Sequence, residues 1–322
     1  IPLNIYFERF YNVFYHFVDS INALNPSIEF WLYGGAFRKA LHNKSLTSDI
    51  DIYVPDYKNF KKMSDVLYIL GYSRDGSSES YFSNHYTLFG RNGINIDLIK
   101  SWNIFGSARK LYFSNYTPPP FDEKNVAWEI QRLTFLSAEI CLYWNDFTNS
   151  AVVYKSNHDL LYLNEFFSSM ESNILDIPNY KNFELMKKLI REHPICKKNK
   201  NYSSFIVELL DGFNELRRAN RKYYRAKKFI KDQGWRITGD RLKEWIDTRV
   251  VETDKNVISP EEGNPNYEED VAIYGLKTIL KENYLENLKK EVSAEEFYNN
   301  IEIIFRDVFL KNPIMIKHIN EN

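Results

Sequence analysis

The sequence predicts an α+β chain: a mixed sheet with helices in the N-terminal part, followed by all-α regions. Three observations predict it. A strand, a glycine turn, a short helix and a second strand can be read in order between Ile28 and Val54. Two alternating apolar segments, Tyr81 to Phe89 and Ile94 to Ile99, flank Gly90-Arg91-Asn92-Gly93, and Asn-Gly between such segments signals a β-hairpin. Beyond Asn125, apolar residues recur at helical spacing, and with 12 Gly and 11 Pro in 322 residues little interrupts them. The expected division is residues 1–155 for the sheet domain, 156–236 for a helical domain, and 237–322 for a second helical domain.

The elements follow in order. Tyr6, Phe10, Val13, Phe14, Phe17, Val18 and Ile21 make the apolar stripe of a lead helix that Pro26 ends. Ile28 to Tyr33 is rich in aromatic and β-branched residues and reads as a strand. Gly34-Gly35 then turns the chain into a helix that opens at Ala36. Without a Cβ in the way, backbone amides there can approach a phosphate, and the helix amides point to the same place. In the next strand, Asp49 and Asp51 are two apart and face one side, while Ile50, Ile52 and Val54 face the core. Carboxylates spaced roughly 6–7 Å along a strand can share a pair of divalent cations. Tyr57 to Leu70 reads as an amphipathic helix closed by Gly71. On the second hairpin arm, Ile94, Ile96 and Leu98 share one face, and Asn95 and Asp97 share the other.

Ser101 to Lys124 is less regular, and Pro118-Pro119-Pro120 marks a loop or boundary. Asn125 to Tyr143 returns to helical periodicity. Asp146-Phe147-Thr148-Asn149-Ser150-Ala151-Val152 carries short donors and acceptors, suited either to sugar hydroxyls or to a cap before a helix or strand. Helices are expected at Asp159 to Met170 and Asn182 to Glu192, a basic loop at Lys197-Lys198-Asn199-Lys200, and a long helix from Ser204 to Gln233. The second half of that helix is densely basic: Arg217, Arg218, Arg221, Lys222, Arg225, Lys227, Lys228, Lys231. Arg241 to Val251, Val271 to Leu288 and Ala294 to Leu310 complete the helical reading.

Net charge is −1 but unevenly spread. Lys181 to Val250 holds nineteen Lys or Arg against nine Asp or Glu, and Val251 to Asn322 holds eight against fifteen. A basic middle beside an acidic tail suggests a localised surface for a polyanion. The 16% of aromatic residues offers rings that could stack on bases, although most belong in a core. Two cysteines, Cys141 and Cys196, without metal-ligand spacing, suggest a reducing compartment and a cytoplasmic setting. The six His make no metal pattern. No apolar run reaches membrane-spanning length, and the N-terminal stretch mixes aromatics with charges, unlike a signal peptide. The absence of an initiating Met is read as trimming.

The order Leu32-Tyr33-Gly34-Gly35-Ala36-Phe37-Arg38, then Asp49-Ile50-Asp51, with thirteen residues between Gly35 and Asp49, resembles the catalytic signature of polymerase beta-type nucleotidyltransferases. Within that superfamily it is most similar to bacterial-type CCA-adding tRNA nucleotidyltransferases and their poly(A) polymerase relatives. Lys39 stands where that family has an acid, and the helix-to-strand loop is one residue longer. Asp146-Phe147-Thr148 resembles the family's ribose-contacting motif, with Trp144-Asn145 in place of an arginine pair and Asn149 one residue early. Arg221 to Trp235 resembles its neck motif through Lys222, Arg225-Ala226, Lys228-Phe229 and Gly234-Trp235. The Glu-Asp upstream of that motif is replaced by Arg218-Ala219, so no nucleotide choice carries over.

The resemblance implies template-independent transfer of nucleotides from ATP and/or CTP to an RNA 3′ end, with tRNA the foremost acceptor. It implies two Mg²⁺, or Mn²⁺, held by Asp49 and Asp51, with Asp97 as a third catalytic and metal-binding carboxylate. Gly34, Gly35 and Arg38 would hold the triphosphate, and Asp146, Thr148 and Asn149 the sugar. Lys222, Arg225 and Lys228 would set the base or grip RNA. Two other readings stand beside it: nucleotide transfer to a protein or small molecule, as in toxin-like or antibiotic-modifying relatives, and a non-catalytic RNA-binding module.

Overall fold

The computed structural model describes residues 8, 14–41, 49–75, 83–88, 95–100, 121, 126, 133, 136–143, 147–175, 181–212, 226, 229–230, 233–237, 284–311 and 316–318. In chain order the described elements are α1 (His16–Leu24), β1 (Trp31–Tyr33), α2 (Gly35–Leu41), β2 (Ile50–Val54), α3 (Tyr57–Ile69), β3 (Tyr72–Asp75), β4 (Ser83–Leu88) and β5 (Ile96–Lys100). Then come α4 (Ala138–Tyr143), a 3₁₀ turn (Thr148–Ser150), β6 (Val152–Lys155), β7 (Leu160–Leu163), α5 (Glu165–Ser172) and β8 (Ile174–Leu175). The remainder is α6 (Lys181–Glu192), α7 (Pro194–Lys198), α8 (Lys200–Gly212), β9 (Arg236–Ile237), α9 (Tyr284–Glu291), α10 (Ala294–Lys311) and β10 (Ile316–His318). The fold class is α+β, with a mixed sheet and a helical part. No described helix is long and apolar enough to cross a membrane.

The chain divides into two compact units. The first comprises Ile1–Asn103, Arg132–Ser172 and Pro313–Asn322, and the second Ile104–Gln131 and Asn173–Asn312. The first unit is built on an eight-stranded sheet in the order β10-β7-β6-β1-β2-β5-β4-β3. All neighbours are antiparallel except β2 and β5, which run parallel. Ile50, Ile52, Val54, Ile96 and Leu98 are buried on one face. Helix α3 belongs to that side: Met63, Val66 and Leu67 are buried, and Ser64 hydrogen-bonds Tyr86 of β4. Trp31 and Lys155 lie on the other face, where helix α4 lies. Trp31 Nε1 donates to Cys141 Sγ at 3.2 Å, and Lys155 pairs with Glu139 at 3.4 Å.

Local chemistry sets the boundaries. Asp56 caps α3 by accepting from the Asn59 amide at 2.8 Å, and Gly71 (φ 91°) ends that segment as its position predicts. The Asn59 side chain takes the backbone N–H of Glu29 at 2.8 Å, tying the helix to the approach to β1. The hairpin expected at Tyr81 to Ile99 is present as the antiparallel pair β4 and β5.

Three expectations are corrected. Asp159 to Met170 is not one helix: Leu160–Leu163 is strand β7, and α5 starts at Glu165. All four residues of β7 are buried, as a strand covered on both faces requires, and such a run carries no alternation to distinguish it. The turn before it contains no Gly. It uses His158 at φ 68° and Asn157 and Asp159, whose side chains bond each other at 2.7 Å. Lys197 to Lys200 is not a loop but the end of α7 and the start of α8, with Asn199 between them capping the Asn201 amide at 2.9 Å. Ile316–His318, expected among helices, pairs with β7 at the sheet edge. The expected helices Arg241 to Val251 and most of Val271 to Leu288 lie outside the described residues.

In the second unit, Phe297 of α10 packs among Tyr202 (5.9 Å between ring centroids), Phe205 (5.8 Å) and Phe121 (4.4 Å). Glu291 accepts from Asn199 at 2.7 Å and Asn201 at 2.9 Å, joining α9 to the α7–α8 corner. His193 caps α7 through Nδ1, which accepts from the Ile195 amide at 3.3 Å, while its Nε2 meets Asp307 at 3.3 Å.

Candidate active site

The candidate site is at the end of the sheet where β1 leaves and β2 and β5 enter. Strand β1 ends at Tyr33, which is in register with Asp51 of β2. Asp51 is in turn in register with Asp97 of the parallel β5. Residues paired this way point to the same face, with strands about 4.8 Å apart. The two carboxylates are therefore side by side, and both are half-buried, opposite the buried Ile50, Ile52, Ile96 and Leu98. Asp49, also half-buried, comes one residue before β2 begins. Aromatic rings fill the neighbouring part of the same face. Trp31 stacks on Tyr53 at 6.2 Å, and Tyr33 meets Tyr53 edge-on at 5.7 Å.

Gly34 is where sequence and geometry meet most tightly. Its φ is 119°, a backbone region that residues with a Cβ rarely enter. A Cβ built there would overlap Oδ2 of Asp51. The glycine thus serves both the turn and the space that the carboxylate occupies. Gly35 opens α2, whose Ala36 and Phe37 are buried, with Phe37 against Phe14 at 4.7 Å. Arg38 follows and is only 9% exposed. Its Nη1 donates to Ser150 Oγ at 3.4 Å, and Ser150 Oγ donates to Asn149 Oδ1 at 3.1 Å.

The structure thus gathers Gly34, Asp51 and Asp97 at one sheet end, and brings Arg38 to the 3₁₀ turn that holds Thr148 and Asn149. Thr148 is buried and its hydroxyl donates to Ser169 of α5 at 2.9 Å. Asn149 is fully buried, and its Nδ2 has no hydrogen-bond partner among the described residues. Asp146, Lys222, Arg225 and Lys228 lie outside the described residues. Among the described residues, no three His, Cys, Asp or Glu side chains form a ready-made metal cage. Sequence reasoning missed Ser150 and Ser169. Ser150 lay within the quoted Asp146 to Val152 run, but nothing in its spacing singled it out. Ser169 gave no signal at all.

No protein-family model matches the chain, and no curated protein matches it. Matches do exist among solved structures. Among them are CCA-adding enzymes and a tRNA nucleotidyltransferase. A CCA-adding enzyme in complex with CTP is 15% identical, with a TM-score of 0.44 over 96% of this chain and 65% of that one. A tRNA nucleotidyltransferase complexed with a primer tRNA and an incoming ATP analog is 13% identical, with a TM-score of 0.35 over 89% of this chain and 75% of that one. The Thermotoga maritima CCA-adding enzyme complexed with tRNA is 12% identical, with a TM-score of 0.35 over 96% and 84%. The chain spans 65% of the length of the first of these. At such identities the reading of the site rests on this chain's own residues.

Proposed function

We propose that the chain transfers nucleotides from an NTP to the 3′ end of an RNA, with tRNA as the foremost acceptor. One observation carries the reading: a glycine in a conformation reserved for glycine lies against the carboxylate of Asp51, and Asp97 stands in register beside it. A backbone turn that can admit phosphate, next to paired carboxylates at a sheet end, is equipment for phosphoryl transfer.

The donor set fits Mg²⁺ or Mn²⁺. These hard cations take carboxylate oxygens, and Mg²⁺ is commonly held by only one or two carboxylates, with water and substrate phosphates completing its shell. Asp49, Asp51 and Asp97 would hold the ions, which when bound polarise the phosphoryl oxygens and lower the pKa of an attacking hydroxyl. Gly34 and Gly35 keep the approach to the carboxylates free of side chains. Arg38 takes triphosphate oxygens through its planar fork. Asp146 takes the ribose, while Thr148 and Asn149 form the wall behind it. Lys222, Arg225 and Lys228 hold the base or the RNA backbone. Catalysis is then mostly positioning and electrostatic stabilisation of charge on the transferring phosphoryl group.

The test is label transfer. Wild type and an Asp49→Ala/Asp51→Ala control are incubated with Mg²⁺, total tRNA and each labelled NTP in turn. Label on RNA with wild type alone supports the proposal and names the nucleotide. A second reading, transfer to a protein or small molecule, is favoured by Trp144-Asn145 and Arg218-Ala219, which replace the arginine and acid pairs of the tRNA enzymes. Label on a non-RNA acceptor would replace the first reading with this one, and no label on any acceptor would leave the non-catalytic module.

A further inference from the structure

We propose that Ser150, backed by Asn149, is a positioning residue that fixes the guanidinium of Arg38 for the triphosphate. The inference rests on the proposed function only through Arg38's role.

Arg38 is nearly buried on a two-turn helix, so its fork has few places to go. An arginine side chain left to itself has rotamer entropy to lose on gripping a ligand. Here Nη1 is anchored at 3.4 Å to Ser150 Oγ. A hydroxyl that accepts from a guanidinium must send its own proton elsewhere, and Ser150 sends it to Asn149 Oδ1 at 3.1 Å. The relay fixes the direction of each bond: guanidinium to hydroxyl, hydroxyl to amide oxygen. Asn149 cannot turn away, because it is fully buried on the 3₁₀ turn, where the neighbouring Thr148 is bonded to Ser169. With Oδ1 taken by Ser150, Nδ2 has no hydrogen-bond partner among the described residues. The arrangement assigns Asn149 to the support of Arg38 and not to contact with the sugar.

The experiment measures binding of inorganic tripolyphosphate and of ATP by isothermal titration calorimetry, with NTP steady-state kinetics alongside. The proteins are wild type, Arg38→Ala, Ser150→Ala and Ser150→Thr. Ser150→Ala is expected to weaken tripolyphosphate and ATP by about fivefold, the worth of one hydrogen bond. It should raise KM for NTP with kcat little changed, and Ser150→Thr, which keeps the hydroxyl, should restore both. If Arg38→Ala weakens tripolyphosphate and Ser150→Ala does not, the positioning role is overturned. It is also overturned if Ser150→Thr fails to restore binding, since the loss would then be one of packing. If Arg38→Ala itself leaves tripolyphosphate binding unchanged, the fault lies in the triphosphate role of Arg38, and the inference falls with it.

Discussion

At the scale of the residue, Gly34 is the most exacting position. Gly34→Ala would place a methyl group on the Asp51 carboxylate and force a side-chain-bearing residue to φ 119°. Displacing Asp51 should lower kcat/KM by about a hundredfold, the cost of a misplacement near 1 Å, and strain should remove about 1–3 kcal/mol of stability. Activity assays and thermal melts read the two effects separately. Asp97→Asn keeps the shape and removes a charge, so it should leave the melting temperature within a few degrees while reducing activity. Elsewhere, burial pushes the Cys196 thiol up to about 12, and Cys141 is buried too. Neither should react with a thiol reagent at pH 8 until denaturant is added, which absorbance of the released thiolate would show. Burial likewise pushes the Tyr202 hydroxyl up to about 12, opposed by its hydrogen bond from Asn300 at 3.0 Å. Between pH 10 and about 12 the unfolded chain loses this proton and the folded one keeps it. Stability contributed by Tyr202 is thus present below pH 10 and lost as pH rises toward 12, and Tyr202→Phe should flatten that part of a stability-versus-pH curve.

At the scale of the element, the caps and clasps make separable contributions. Asp56→Ala removes the side chain that holds the Asn59 amide at 2.8 Å and the Asn59 side chain at 2.9 Å. It should cost about 1 kcal/mol, or a few degrees in melting temperature, by calorimetry. Much at this scale was legible in the sequence. The amphipathic run from Tyr57 to Leu70, with Gly71 behind it, bounds α3 to within a residue, and Asn92-Gly93 predicts the β4–β5 hairpin. Alternation in Ile50-Asp51-Ile52 and in Ile96-Asp97-Leu98 assigns the carboxylates to one face. What was not legible has physical reasons. Leu160-Leu161-Tyr162-Leu163 is buried throughout and shows no period. The Asn157-His158-Asp159 turn reaches a left-handed conformation without glycine. The Arg38–Ser150–Asn149 relay joins residues more than a hundred positions apart, and only the folded sheet brings them together.

At the scale of the whole molecule, the chain enters the second unit, returns, enters it again and returns once more at Pro313. The sequence marks only the first crossing, where Ser101 to Lys124 loses its regular periodicity and carries Pro118-Pro119-Pro120; the later crossings carry no such mark. Its last return ends in β10, which covers the outer edge of β7. All of Asn173–Asn312 lies between them in the sequence. On the ribosome, then, β7 is made early, can pair with β6, and waits with the backbone donors and acceptors of its outer edge unpaired until the second unit has been synthesised. Closure of a loop that long is slow, and an uncovered strand edge is a template for pairing between nascent chains. Release of chains shortened to Asn312 should therefore give a soluble fraction well below that of the full chain, read by sedimentation after translation in vitro. Pulse labelling with limited proteolysis should show protection of Leu160–Leu163 arriving only once Ile316–His318 has left the exit tunnel.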